Sequence, residues 1–417
     1  MTTWTIGWEH KGFPSAAHGR EPHGLAGLGL RVPDDVSTPF AVLREAELRH
    51  NLDAMSAWCR ERDVELAPHV KTTMSPELMR MQLEAGAWAT TAATAWQARV
   101  QIEHGARRVL IANESLDRPG LRWLAERMRA DADLEVLLLV DSRAGLETLR
   151  DVVTGVDGAP PVGVLVDLGH PGGRAGVRSH TDAVRLAEQV AATDGTVLAG
   201  VAGYEGVIAG DRTLEGVAAV RGYLRRLHDL AVAVQPLVQR PEGGIASAGG
   251  SLFYDLVADE LAGIAGMRTV IRPGCYLVHD HGVYARNTDD ADPSRPRLLA
   301  AMEVWARVIS APEPGLALAD AGRRDVSSDA GMPTVLAVVR DGRRQPPDPG
   351  VAVTGFNDQH TYLSLPLDGS ATGGLVPQIG DALVLGISHP CTTIDKWRAI
   401  ALTDEHGTVT GAVRTAF

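Results

Sequence analysis

The chain has 417 residues, 45% hydrophobic and 22% charged, with a net charge of −12, a balance that places it among globular proteins and excludes a disordered or fibrous one. Its length exceeds one ordinary domain and supplies a large core. The acidic surplus, with no Lys- and Arg-rich run interleaved with aromatics, argues against nucleic acid as a partner.

Residues 1–37 contain Gly, Pro and His without periodicity and read as an N-terminal arm, a lid or an edge strand, expected to join a β-rich domain. No basic segment followed by an apolar run opens the chain, and apolar stretches such as 136–140 are too short to cross a bilayer, so no membrane is expected and the cytoplasm is the expected location. From residue 38 short apolar runs alternate with Gly-rich turns and stretches of helical period, giving eight predicted strands at 64–70, 87–91, 108–112, 134–140, 162–168, 198–204, 244–248 and 269–271. Between them Leu48, Leu52, Met55 and Cys59 fall on one helix face, and Ser75 followed by Pro76 makes an N-cap and first-turn pair. Eight βα units predict a closed (β/α)8 barrel, of the TIM-barrel type, over 38–290; no Gly-x-Gly-x-x-Gly follows the first strand, which argues against an open doubly wound sheet. Pro- and Gly-punctuated strands at 300–309, 334–339 and 382–385 predict a second, mostly β domain over 291–417. Three cysteines, Cys59, Cys275 and Cys391, are too few for a disulfide framework; each is expected to be a buried thiol or a ligand in a reducing compartment.

Four places carry chemistry. Lys71 ends the first predicted barrel strand, where a barrel mouth can desolvate an amine for Schiff-base formation, although on position alone a solvated lysine is the commoner outcome. Ser247, Gly249 and Gly250 end the seventh strand and open a helical stretch, an arrangement able to cradle a phosphate, with Tyr276 after the eighth strand as a further donor; a plain connection is the alternative. Arg174, in a Gly-rich loop after the fifth strand, and Tyr204, at the end of the sixth, can reach an anionic group or a cofactor ring, or else are a surface arginine and a packed tyrosine. His389 and Cys391 project to the same side of extended backbone and form a borderline-soft pair suited to Zn²⁺, with Mn²⁺ or Co²⁺ as alternatives; taken alone, a satisfied His beside a buried Cys is commoner.

The order and spacing of Pro-His-Val-Lys-Thr at 68–72, Ile-Ala-Asn-Glu at 111–114, Asp-Leu-Gly at 167–169, Ser-Ala-Gly-Gly at 247–250, Arg-Pro-Gly at 272–274, Asp-Ala-Gly at 320–322 and His-Pro-Cys at 389–391 resemble the fold-type III pyridoxal-phosphate family of D-threonine aldolase, D-serine dehydratase and D-threo-3-hydroxyaspartate dehydratase. The resemblance implies an alanine racemase-like barrel with a β domain, and a homodimer that shares its sites. It implies Lys71 as cofactor lysine, the 247–251 loop with Tyr276 as phosphate site, Arg174 and Tyr204 as ring contacts, and His389 and Cys391 as metal ligands. His69 beside the lysine is a further catalytic candidate, as is His360 in a polar run, 355–360, where relatives carry a His-containing loop. Ala67, Thr73 and Met74 stand where the family usually has charged or imidazole side chains around that lysine.

The implied activity is a pyridoxal-phosphate- and metal-dependent lyase acting on D-β-hydroxy amino acids. Family aldolases tend to have Asp where this chain has Cys391, which favours dehydration to a 2-oxo acid and ammonia over cleavage to glycine and an aldehyde. Racemisation needs an acid on the opposite face and leaves the metal without a role. A non-catalytic pyridoxal-phosphate carrier, the alternative of another class, needs neither a second domain nor a His-x-Cys pair.

Overall fold

The computed structural model describes residues 4–288, 292–367 and 372–417. Eight parallel strands, Glu65–Leu66, Thr90–Ala92, Arg108–Glu114, Glu135–Val140, Val162–Leu168, Thr196–Gly203, Gly244–Ala248 and Met267–Ile271, lie side by side in chain order, with the first paired to the eighth through Glu65–Val270 and Leu66–Ile271. The ring closes between the first and second strands by the bridge of His69 with Thr91, whose N–H donates to the Pro68 carbonyl at 2.8 Å and whose Oγ1 donates to the Ala67 carbonyl at 2.7 Å. The predicted strands overlap these eight, and the expected barrel is present.

Its strands read as unbroken apolar runs because both faces are buried. Leu110, Leu137, Leu139, Leu165 and Ile245 fill the interior, while Val109, Ile111, Val136, Leu138, Val164 and Val166 pack beneath the helices. Helix Glu45–Glu61 buries Leu48, Leu52, Met55 and Cys59 as its period requires. Helix Pro76–Glu84 starts at Ser75, whose Oγ accepts from the Leu78 N–H.

The second sheet is mostly antiparallel. Met302–Glu313 runs through its centre beside Ala382–Gly386, which in turn pairs with Thr334–Arg340, while Ala399–Thr403 pairs with Val409–Arg414. Strand Phe40–Arg44 inserts between Met302–Glu313 and Ala399–Thr403. The segment expected to open the barrel at 38 therefore begins with a strand of the other sheet, and helix Glu45–Glu61 is the first barrel element; the expected boundary at 290/291 lies at residues outside those described. The N-terminal arm from residue 4 lies over the same sheet, burying Ile6, Phe13, Leu25, Leu30 and Val32 with Val42, Trp305, Val384 and Ala401. Among the described residues no helix is long and apolar enough to cross a membrane.

Candidate active site

The C-terminal ends of the barrel strands and segment 388–391 of the β sheet enclose a cavity of about 440 Å³, within the size range of small-molecule sites. Lys71 lies in the single turn Val70–Thr72 that follows the first strand. Its neighbours Val70, Thr72 and Thr73 are buried, whereas the Lys71 side chain is exposed to the cavity rather than enclosed by it. His69 lines the same wall, and its Nδ1 is buried without a hydrogen-bond partner. Burial first, then the charges of Lys71 and Arg272, hold that imidazole well below its ordinary pKa and therefore neutral.

The fifth and sixth strands end in a braced pair of loops. The Tyr223 hydroxyl donates to the Leu168 carbonyl at 2.5 Å and accepts from the Tyr204 N–H at 3.1 Å. Arg178 folds back onto the carbonyls of Ala175 and Gly176, and the Arg174 guanidinium lies 4.2 Å from the centre of the Tyr204 ring. Both side chains line the cavity. Behind them Asp167 and Glu114 share a hydrogen bond; burial, and the charge of Glu114, push the Asp167 carboxyl well above the usual range, and burial raises Glu114 as well. His170 adds a second cavity-lining imidazole with a buried, unpartnered Nδ1.

The expected phosphate loop differs from its prediction. Gly249, at φ +100°, turns the chain so that its N–H and that of Gly250 point at the Glu205 carboxylate, donating at 2.9 and 2.8 Å. Glu205 is fully buried. Ser247 lies within its strand, donating to the Val270 carbonyl and accepting from Arg272, so it does not line the cavity. Arg272, itself buried, also donates to the Gly203 carbonyl at 2.7 Å. Tyr276 points away into the core, where Gln82 meets its hydroxyl, because Cys275 before it faces the cavity. The groups that do face the cavity here are Ser251, whose Oγ accepts from the N–H groups of Gly274 and Cys275 at 3.2 and 2.9 Å, and Tyr284. A side chain at Gly274 would collide with Thr72 Oγ1 and the His69 carbonyl at 2.4 and 2.8 Å.

His389 and Cys391 line the cavity together with Cys275 and Lys71. His389 Nδ1 lies 2.9 Å from Asp329 Oδ2, and Asp329 Oδ1 accepts from Ser327 at 2.6 Å and Thr392 at 2.8 Å. Cys391 Sγ stands 3.4 Å from Thr72 Oγ1 and 3.6 Å from Cys275 Sγ. A hydrogen bond from Cys275, followed by that from His389, pulls the Cys391 thiol down to about 4, and its partnership with Cys391 pushes His389 up to about 9. Cys59, by contrast, is pushed up to about 12 by burial and is an inert core thiol. His360 is exposed in the turn between Ala352–Phe356 and Thr361–Ser364, its carbonyl accepting from the Asn357 N–H, and it does not line this cavity. Sequence reasoning assigned no role to Glu205, Arg272, Tyr284 or Asp329. Arg272 stood in a quoted motif, but the other three carry no local signal.

The residues fit a phosphorylated, aldehyde-bearing cofactor. An amine open to the cavity, the Arg174–Tyr204 pair, the Ser251 and Tyr284 hydroxyls, and two orphaned buried imidazole nitrogens would all find partners in such a group. A His/Cys donor set at the rim equally suits a divalent metal.

A closed barrel joined to a β sheet is the alanine racemase-like fold, shared with an alanine racemase of Clostridium difficile 630 at a TM-score of 0.62 and 13% identity over 89% of this chain and 98% of that one. The narrower resemblance read from the motifs also holds. Residues 301–403 match the family described as "Putative serine dehydratase domain". The chain is 28% identical over 358 residues to a D-threonine aldolase from Arthrobacter sp, covering 85% of this chain and 86% of that one. It is 26% identical over 382 residues to the D-threo-3-hydroxyaspartate dehydratase of Delftia sp. (strain HT23), covering 86% and 92%. Among solved structures, the D-threonine aldolase from Filomicrobium marinum superposes with a TM-score of 0.77 at 27% identity, over 93% of this chain and 97% of that one.

Proposed function

We propose that this chain is a pyridoxal-phosphate- and metal-dependent lyase that dehydrates D-β-hydroxy amino acids to 2-oxo acids and ammonia. The observation that carries the reading is one cavity lined by Lys71, His389 and Cys391 together, in a chain similar to lyases of such substrates. Pyridoxal phosphate, when bound, supplies an aldehyde for the amine and a ring that takes up the electron pair released at Cα.

Lys71 would hold the cofactor through its amine, and the same amine is the candidate base for the Cα proton. Ser251 and Tyr284 are the candidate phosphate contacts, Ser251 being held by the N–H groups of Gly274 and Cys275 and the Gly249–Gly250 turn by Glu205. Arg174 and Tyr204 flank the ring position. Neutral His69 offers its free Nδ1 to a polar group beside Lys71. His389, its Nδ1 occupied by Asp329, would hold a metal through Nε2 together with Cys391, and Zn²⁺ would suit that pair. Such a metal supplies Lewis acidity for the leaving β-hydroxyl.

The slightly greater similarity to D-threonine aldolases, 28% against 26% in sequence and a TM-score of 0.77 against 0.70 to 0.74 in structure, favours a second outcome, cleavage of Cα–Cβ to glycine and an aldehyde. The two separate in one assay. D-serine, D-threonine and D-threo-3-hydroxyaspartate are each supplied and 2-oxo acid, ammonia, glycine and aldehyde are quantified; 2-oxo acid with equimolar ammonia supports dehydration, glycine with aldehyde replaces it by cleavage, and no turnover of any D-substrate refutes both. We further propose a homodimer, in which the β domain of one subunit faces the barrel mouth of the other, working in the cytoplasm, where three free thiols remain reduced.

A further inference from the structure

We propose that Cys275 is a third protein ligand of the metal, making the centre a Cys₂His site with one open position; this rests on the metal reading above. Sequence spacing pairs His389 with Cys391 alone, because Cys275 lies 116 residues away and leaves the barrel after its eighth strand. The fold brings it back. Its Sγ stands 3.6 Å from that of Cys391, and the ligand atoms of Cys275, His389 and Cys391 all lie within 4.8 Å of one another. Two sulfurs each at about 2.3 Å from a tetrahedral zinc stand about 3.8 Å apart, so the observed pair needs only a few tenths of an ångström of adjustment.

The surroundings are built for a fixed donor set. Asp329 takes His389 Nδ1 and is itself held by Ser327 and Thr392, which commits Nε2 to the cluster. Thr72 Oγ1 lies 3.4 Å from Cys391 Sγ and 4.0 Å from Cys275 Sγ, and it can stand there only because residue 274 is glycine. Tyr284 and Ser251 meet Cys275 from the cavity side. Among the described residues no carboxylate joins the three donors. Three ligands leave a fourth, tetrahedral position facing the cavity, where a substrate oxygen can enter. Two thiolates and an imidazole are a softer set than one thiolate with water oxygens, so the site should select Zn²⁺ or Co²⁺ and hold Mn²⁺ poorly. All three donors bind the metal deprotonated, so any proton still held on them passes to solvent.

The test counts sulfur directly. X-ray absorption of the reduced, zinc-loaded full-length enzyme is expected to give two sulfur scatterers at about 2.3 Å, and Cys275→Ser one. Competition against a chromophoric chelator should show Zn²⁺ affinity falling roughly 100-fold or more in Cys275→Ser, with Co²⁺ charge-transfer absorbance halved. One sulfur in the wild type, or unchanged affinity and absorbance in the variant, overturns the assignment while leaving the His389–Cys391 reading intact. A wild type that binds neither ion, with Cys391→Ser no different, overturns both. Should Cys275→Ser fail to fold, the wild-type sulfur count still decides.

Discussion

Replacing Glu205 by Gln should loosen the loop that closes one end of the cavity. The carboxylate receives two backbone N–H groups, from Gly249 and Gly250, and contributes negative charge beside the fully enclosed Arg272. An amide of the same shape can accept only one of those N–H groups and turns its own NH₂ against the other. One charge-assisted hydrogen bond is lost, about 1.5–3 kcal/mol, and one buried donor is stranded, about 1–3 kcal/mol. Arg272 keeps a buried positive charge with less compensation. The sum, about 2.5–6 kcal/mol, corresponds to opening of the loop that is roughly two to four orders of magnitude more frequent. Amide hydrogen exchange of a peptide spanning 247–253 measures this directly, with a barrel peptide spanning 162–168 as the internal reference. Exchange within about fivefold of the wild type at Gly249 and Gly250, less than about 1 kcal/mol, would refute the view that this carboxylate braces the loop.

Lys71→Ala should abolish the visible absorbance that follows cofactor addition, since Lys71 is the lysine lining the cavity; an unchanged band means another amine is used. His389→Ala or Cys391→Ala should remove the metal and most turnover while the Lys71-dependent absorbance persists, because holding the cofactor and assisting a poor leaving group use different side chains of the cavity; chelation should mimic both variants and Zn²⁺ should restore the wild type, a scheme that fails if the chelated enzyme keeps full activity. In metal-free enzyme Cys391, pulled down to about 4, is a thiolate at any higher pH, so its alkylation should hold a plateau from neutrality to about pH 5 and decline through pH 4; a rate that climbs tenfold per pH unit up to pH 9 would mark an ordinary thiol. Light scattering should give twice the monomer mass for the active species, and an active monomer would exclude shared sites.

Much of the scaffold was legible because its causes are local. A strand buried on both faces needs a run such as 136–140, an amphipathic helix needs Leu48, Leu52, Met55 and Cys59 at their spacing, and Ser75 caps its own helix. The position of Lys71 follows likewise from one strand ending, and closure from the count of βα units. Side-chain direction after those strands is another matter. Ser247 and Tyr276 were plausible phosphate contacts, yet Ser251 and Tyr284 line the cavity in their place, because Ser247 is held inside its strand by Arg272 and Cys275 takes the cavity-facing place beside Tyr276. The Glu205 brace spans 44 and 45 residues, the Asp329–His389 contact 60, and the meeting of the two thiols 116. No periodicity reaches across such separations; closing the barrel and folding the second sheet over its mouth bring these groups within bonding distance. Composition and period thus determined which elements form and where the barrel mouth lies, while tertiary packing alone decided which polar groups there remain free to face a ligand and which are already spent on one another.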